Sequence, residues 1–173
     1  MLDSLKRIVR DPTKTIVSGV SILLLQKNLE RFSTERLSLA MQRAWRREYD
    51  PVRFFATDLN GDGAVLKINS IFVTMEHFDR RVDGEKLGGQ VLPPWAEHSA
   101  HSSITYACPG GIPVSDRKHF YGFLGLLCAE LLSENIPSLL FTEEKALLRN
   151  SSMLQRSLRS GQDFDPLHIS SSS

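Results

Sequence analysis

Thr57-Asp58-Leu59-Asn60-Gly61-Asp62-Gly63-Ala64-Val65 is the stretch on which the fold turns. Asp58, Asn60, Asp62 and Gly63 match the opening half of a calcium loop, D-x-[DN]-x-[DN]-G, which in an EF-hand joins two helices. As a hairpin turn the same residues join two strands, and Asn60-Gly61 and Asp62-Gly63 supply the positive φ angles. The flanks decide between the two. Val52-Arg53-Phe54-Phe55 and Leu66-Lys67-Ile68-Asn69-Ser70-Ile71-Phe72-Val73 have the apolar, aromatic and β-branched content of strands. The twelfth loop position, where a calcium site needs a bidentate Glu, is Asn69, with one carbonyl oxygen and no charge. Residues 58–63 therefore predict an exposed hairpin turn, and Asp58, Asn60 and Asp62 at most a weak calcium site.

Outward from the turn, the return arm at residues 65–77 alternates, with Ile71, Val73 and Met75 opposite Phe72, Thr74 and Glu76. Leu66 and Ile68 are out of phase with it, which predicts a bulge near Asn69-Ser70. Upstream, Val20, Ile22, Leu23, Leu24 and Leu25 make a nearly continuous apolar run, as in a strand buried on both faces. A helix follows: Ser33 is its N-cap, Phe32 and Leu37 have the spacing of a hydrophobic staple, and Leu37, Ala40, Met41, Ala44 and Trp45 recur at helical intervals.

Downstream, residues 80–90 are charged and Gly-rich and predict a loop or a poorly packed connection. Pro93-Pro94-Trp95 opens a short helical segment. A strand at 103–108 ends at Pro109-Gly110-Gly111-Ile112-Pro113, and a helix begins near Ser115 with the stripe Phe120, Phe123, Leu124, Leu127, Cys128 and Leu131. Gly122 and Gly125 cost that helix about 1 kcal/mol each relative to Ala, which points to close approach of its backbone to the sheet. Residues 138–142 form a strand, 143–149 a short strand or a helix, and 151–159 a last helix. The order predicts an α+β fold: a single mixed or antiparallel sheet with two long helices packed on one face. Residues 1–15 are a short helix or arm, 16–159 the domain and 160–173 a disordered tail. The expected core is Leu24, Leu37, Met41, Trp45, Phe72, Ile104, Phe123, Leu127 and Leu140.

The chain of 173 residues suits one domain, and a net charge of +1 gives it no overall pull on nucleic acid or anionic membrane. Arg43, Arg46 and Arg47 read as the solvated side of a helix. Cys108 and Cys128, the only cysteines, make no disulfide framework, so a reducing, cytoplasmic setting is expected. The apolar run at 16–25 falls short of the roughly 20 residues needed to span a bilayer. Neither G-x-G-x-x-G nor a Walker A motif occurs, and no cofactor is implied.

Two further constellations carry chemistry. His98 and His101 stand three apart, and with Glu97 or Glu130 they offer nitrogen and oxygen ligands to zinc. The alternative is a pair of structural histidines at the entrance to the next strand. Cys108 precedes a Gly-rich turn that leads to a helix N-terminus, a setting that lowers a thiol pKa and attracts anions, with His101 or His119 as base. A strand-end cysteine is also ordinary core.

The arrangement resembles a family of bacterial α+β domains with no assigned activity. The matching features are Ile22-Leu23-Leu24-Leu25, a helix with Trp45 near its end, the hairpin, Trp95 ahead of His98 and Ala100-His101, strand 103–108, and the final pair at 120–132 and 139–142. The likeness spans roughly residues 17–159, and the segment between Trp95 and His101 is abbreviated relative to it. It implies a strand at residues 146–149 and no substrate. The functional expectation is a non-enzymatic, accessory or immunity-type domain that binds another protein. The alternatives are a metal-dependent or Cys/His hydrolase-like enzyme using His98, His101 and Cys108, and a weak calcium binder using residues 58–62.

Overall fold

The computed structural model describes residues 16–170, so the arm expected at residues 1–15 lies outside the described residues. Seven strands, β1 (Ile16–Gln26), β2 (Phe54–Asp58), β3 (Gly63–Ile68), β4 (Ile71–Phe78), β5 (Ala100–Pro113), β6 (Ser138–Phe141) and β7 (Ala146–Arg149), form one sheet in the order β2-β3-β4-β5-β1-β6-β7. Every neighbouring pair is antiparallel. Helices α1 (Thr34–Trp45) and α2 (Arg117–Leu131) cover one face, and the shorter α3 (Ser152–Arg159) and α4 (Pro166–Ser170) follow β7. The fold is α+β, a single antiparallel sheet with the two long helices on one side.

β1 is central, paired with β5 on one side and β6 on the other. Its period of two explains the unbroken apolar run. Val20, Ile22 and Leu24 join the helix-side core with Leu37 and Met41 of α1 and Leu124, Leu127 and Leu131 of α2. Leu23 and Leu25 point the other way, into a second cluster with Leu140 of β6 and with Val82 and Leu87. The connection at 80–90 is thus packed, because it must cover apolar positions that the helices leave open. Leu140 belongs to this second cluster, and Phe72 is 53% exposed, so neither sits in the helix-side core as expected. Trp45 and Phe123 flank that core, stacked on each other at 5.0 Å.

α1 starts as its sequence prescribes: Ser33 Oγ accepts from the Arg36 N–H at 3.2 Å, and Phe32 and Leu37 are both buried. The return arm after the first hairpin is two strands instead of one bulged strand. Ile68 pairs directly with Ile71, and Asn69 takes the left-handed conformation (φ 56°) of a tight turn. The phase change at Asn69-Ser70 marks a chain reversal.

β5 runs on through Pro109-Gly110-Gly111-Ile112-Pro113, where a turn was expected, because Ile112 still pairs with Val17 after an irregularity in register. Residues 146–149 are a strand, and the β6–β7 turn is tied to α2 by Arg117 Nη1 and Glu144 Oε1 at 3.1 Å. Residues 160–170, expected to be disordered, fold back on α2: Phe164 is 4% exposed and stacks on Phe141, and its N–H donates to the Lys118 carbonyl at 2.8 Å. Gly122 of α2 serves this contact and Gly125 the packing of α3, rather than the sheet. A Cβ on Gly122 would lie 2.1 Å from the Gln162 carbonyl oxygen, and one on Gly125 would lie 2.9 Å from Leu158 Cδ2.

Candidate functional site

The residues singled out in the sequence are dispersed. Asp58 accepts the Gly61 N–H at 3.0 Å, and Asp62 lies 3.7 Å from the Arg31 guanidinium, so both carboxylates are engaged within or beside the turn. Asn60 and Gly61 supply its positive φ angles, 53° and 84°. Asn69 stands in the next turn, at the far end of β3, about 20 Å away at ~3.3 Å per residue. It cannot complete a coordination shell around Asp58, Asn60 and Asp62.

His98 is 2% exposed, and both its ring nitrogens are used: Nε2 accepts the Val82 N–H at 3.1 Å and Nδ1–H donates to the Ala96 carbonyl at 3.0 Å. It pins the 80–90 connection to the segment entering β5. His101 donates its Nδ1–H to the Arg80 carbonyl at 2.8 Å and stacks on Phe78 at 4.8 Å. Burial pushes its pKa down, with a smaller opposing effect from the Arg80 carbonyl. Glu97 faces Arg81 at 3.7 Å and is exposed, whereas Glu130 faces Arg159 at 3.7 Å on the helical side. Among the described residues, no group of three or more His, Cys, Asp or Glu side chains converges as a metal site.

Cys108 lies inside β5, partly exposed, beside Tyr106, whose phenol pKa is raised by burial first and by Cys108 second. His101 is seven positions away on the same strand, about 23 Å at ~3.3 Å per residue, and His119 is exposed and 3.3 Å from Asp163. The Nδ1 of each histidine is bonded elsewhere, that of His101 to the Arg80 carbonyl and that of His119 to Asp163. β5 continues past Cys108, so the thiol does not end the strand, and Tyr106 beside it stacks on Phe120 in the first turn of α2 at 4.8 Å.

Sequence reasoning missed a buried polar chain at the β1–β5–β4 junction. His77 Nδ1 meets Ser102 Oγ at 2.8 Å, Ser102 Oγ accepts from Gln26 Nε2 at 3.1 Å, and His77 Nε2 accepts the Phe32 N–H at 3.3 Å. Gln26 closes it by bonding both backbone groups of Glu30. The visible signal was Gln26 at the end of an apolar run and His77 in the inward phase of β4. Every member has partners, so the chain orders the entry to α1.

Elsewhere, at the β7 edge, the described residues form a two-part groove. A polar groove of about 1070 Å³ is lined by Lys27, Arg81, Trp95, Glu134, Arg149 and Gln155 among others. An apolar groove of about 580 Å³ adjoins it, lined by Leu147, Leu148, Met153, Leu154 and Ile169. Trp95, Arg149 and Ser151 line both, so the two halves meet at the indole.

Each wall has a local cause. Trp95 sits in a 3-10 turn, Pro94–Ala96, whose last carbonyl is held by His98. The floor is fixed by Asn150, whose side-chain amide donates to the Ser133 and Ile136 carbonyls at 3.2 and 2.9 Å. Ser151 caps α3 by accepting the Leu154 N–H at 3.2 Å, which sets Met153 and Leu154 along the groove. His98, a candidate ligand in the sequence, is therefore a support for the Trp95 wall.

Among the described residues β7 is the last strand of the sheet, so one of its sides has no strand partner. The Asn150 N–H donates to the Pro137 carbonyl at 2.8 Å. By antiparallel alternation Leu148 and Ala146 also bond toward β6, and the main-chain groups of Leu147 and Arg149 face outward. Both residues line the grooves.

Comparison with protein families, curated proteins and solved structures finds no match to this chain. Among the described residues no helix is long and apolar enough to cross a membrane.

Proposed function

We propose that this chain is a non-enzymatic protein-interaction domain, of an accessory or immunity type, that holds an extended segment of another protein in the two-part groove at Trp95. The observation that supports this most is the groove itself. It joins an apolar trough to a polar one across a single partly buried indole, at a sheet edge. Indole side chains bury a large area while keeping a donor, which suits them to anchor a partner. The catalytic alternative has less support, since His101 is seven positions from Cys108 along β5 and His119 is bonded to Asp163.

The test is selection of peptides from a random display library on the intact protein. Peptides that bind the protein and lose most of their affinity to Trp95→Ala support the groove as the site. Peptides that bind Trp95→Ala unchanged, or a library that yields no binder, would refute it. Turnover in a broad hydrolase screen that is abolished by Cys108→Ala would replace the binding reading with the enzymatic one.

A further inference from the structure

Resting on the groove reading above, we infer that the partner segment binds as an eighth, antiparallel or parallel strand along β7, with an acidic residue at the flank that enters the polar half. Three observations lead there. First, Leu147 and Arg149, whose main-chain groups the β6 pairing leaves turned outward, line the groove beside α4, which packs against β7, and a segment laid along them completes hydrogen bonds that the described strands leave unmade. Second, the apolar half flanks the edge on both faces. Leu147 belongs with the Leu140 cluster on the helix-free side, while Leu148 and Leu154 belong to the helix-side core. A strand sends alternate side chains to opposite faces, so an alternating apolar segment fits both walls.

Third, the polar half has unpaired positive charge. Of its cations, Arg81 is 3.7 Å from Glu97, whereas Lys27 and Arg149 have no carboxylate within ion-pairing distance among the described residues. Glu134 is the other acid in the lining, leaving two free cations against one free carboxylate. A carboxylate on the bound segment balances that excess. A second copy of this chain would bring two such cationic grooves together, which disfavours it as the occupant.

The experiment uses the peptides selected from the display library, titrated against three variants. Arg149→Pro deletes an outward N–H that the sheet does not use, at a position where an edge strand tolerates proline. Arg149→Ala removes the side chain and keeps that N–H. Lys27→Glu reverses a charge away from the edge. The proposal expects selected sequences with alternating apolar residues and an acidic flank. Their affinity should fall about tenfold or more with Arg149→Pro, beyond the loss in Arg149→Ala, because a main-chain bond and close approach are both lost. Lys27→Glu should weaken binding several-fold, and added salt should blunt the difference.

Binders that need Trp95 but ignore Arg149→Pro, or that carry apolar residues three and four apart as a helix does, would overturn strand addition and leave the groove standing. Binders indifferent to Trp95 would overturn both. Light scattering that shows a dimer of the free protein, broken by Arg149→Pro, would make a second copy the occupant and overturn the partner segment. Circular dichroism of each variant confirms that the fold is retained. If Arg149→Pro unfolds the domain, the N-methylated backbone at each alternate position of the peptide provides the same deletion from the ligand side, and strand addition requires that every second methylation abolish binding.

Discussion

At the scale of single residues, His77 and His101 make the clearest demand on solution behaviour. Burial lowers the pKa of both below the ordinary value of 6.5, and Arg31 adds to the effect at His77. In the unfolded chain each regains that ordinary value and binds protons more readily. Stability is therefore complete above pH 6.5 and falls as the pH drops through 6.5 toward the depressed folded values. The slope is at most about 1.4 kcal/mol per pH unit for each histidine. Urea unfolding at a series of pH values between 7.5 and 5 should show this loss, and His77→Gln should flatten part of it. A profile unchanged over that range would mean that neither ring is buried as described.

Calcium at the Asp58–Asp62 turn is a second residue-scale question. With Asn69 at the other end of β3 and Asp58 engaged by the Gly61 N–H, affinity should be about 10⁻⁴ M or weaker. Calorimetry on chelator-treated protein measures it. Micromolar binding lost in Asp58→Ala would make the turn a site.

At the scale of elements, the start of α1, the existence of β1 and the stripe of α2 were legible because each is written locally. Ser33 with Phe32 and Leu37 is a cap and staple within a few residues, and the α2 stripe repeats at helical spacing. What misled was locally ambiguous information whose resolution lies far along the chain. The glycines of α2 signalled close approach, yet nothing local says that the approaching backbone comes from residue 162. The expected consequence is a ranking. Gly122→Ala meets a backbone carbonyl and should cost about 1–3 kcal/mol, as overpacking does. Gly125→Ala meets the end of a leucine side chain that can move, and should cost less. Thermal unfolding of the two variants decides it, and a reversed order would show that the C-terminal segment does not lie on Gly122.

The same segment makes Phe164→Ala costly, about 3–5 kcal/mol, although the polar composition around it reads as a loose tail. Leu127→Ala, at a fully buried position of the stripe, should cost about 2–5 kcal/mol by chemical denaturation, and a loss typical of surface positions would displace that helix face from the core. The groove at Trp95 was invisible from sequence for a related reason. Its lining comes from the end of β1, the turn before β5, the α2–β6 connection, β7 and α3, and no motif links them. Trp95, Glu97 and His98 were noticed, but His98 for a role as ligand where its geometry makes it a brace. His98→Ala should therefore loosen the Trp95 wall. The expected readout is a red-shifted, more quenchable tryptophan emission, with Trp95→Phe as the control that isolates the Trp45 signal.

At the scale of the whole molecule, the α+β layering followed from the alternation of helical and strand periods, while the strand order did not. A run such as Ile22-Leu23-Leu24-Leu25 announces burial on two faces without naming the neighbours. Those neighbours have a kinetic consequence. The β2–β3–β4 meander closes through short turns, and β6–β7 is a hairpin, so each can form on its own timescale of microseconds. β1 joins them, and it does so only by meeting β5 and β6, both distant in sequence. Folding should thus wait on a slow search for β1, in the millisecond-to-second range typical of such non-local sheets. Until that search succeeds, the hairpin carrying the proposed binding edge has no sheet behind it. The ability to capture a partner should consequently appear in one step with the final folding phase, late and all at once.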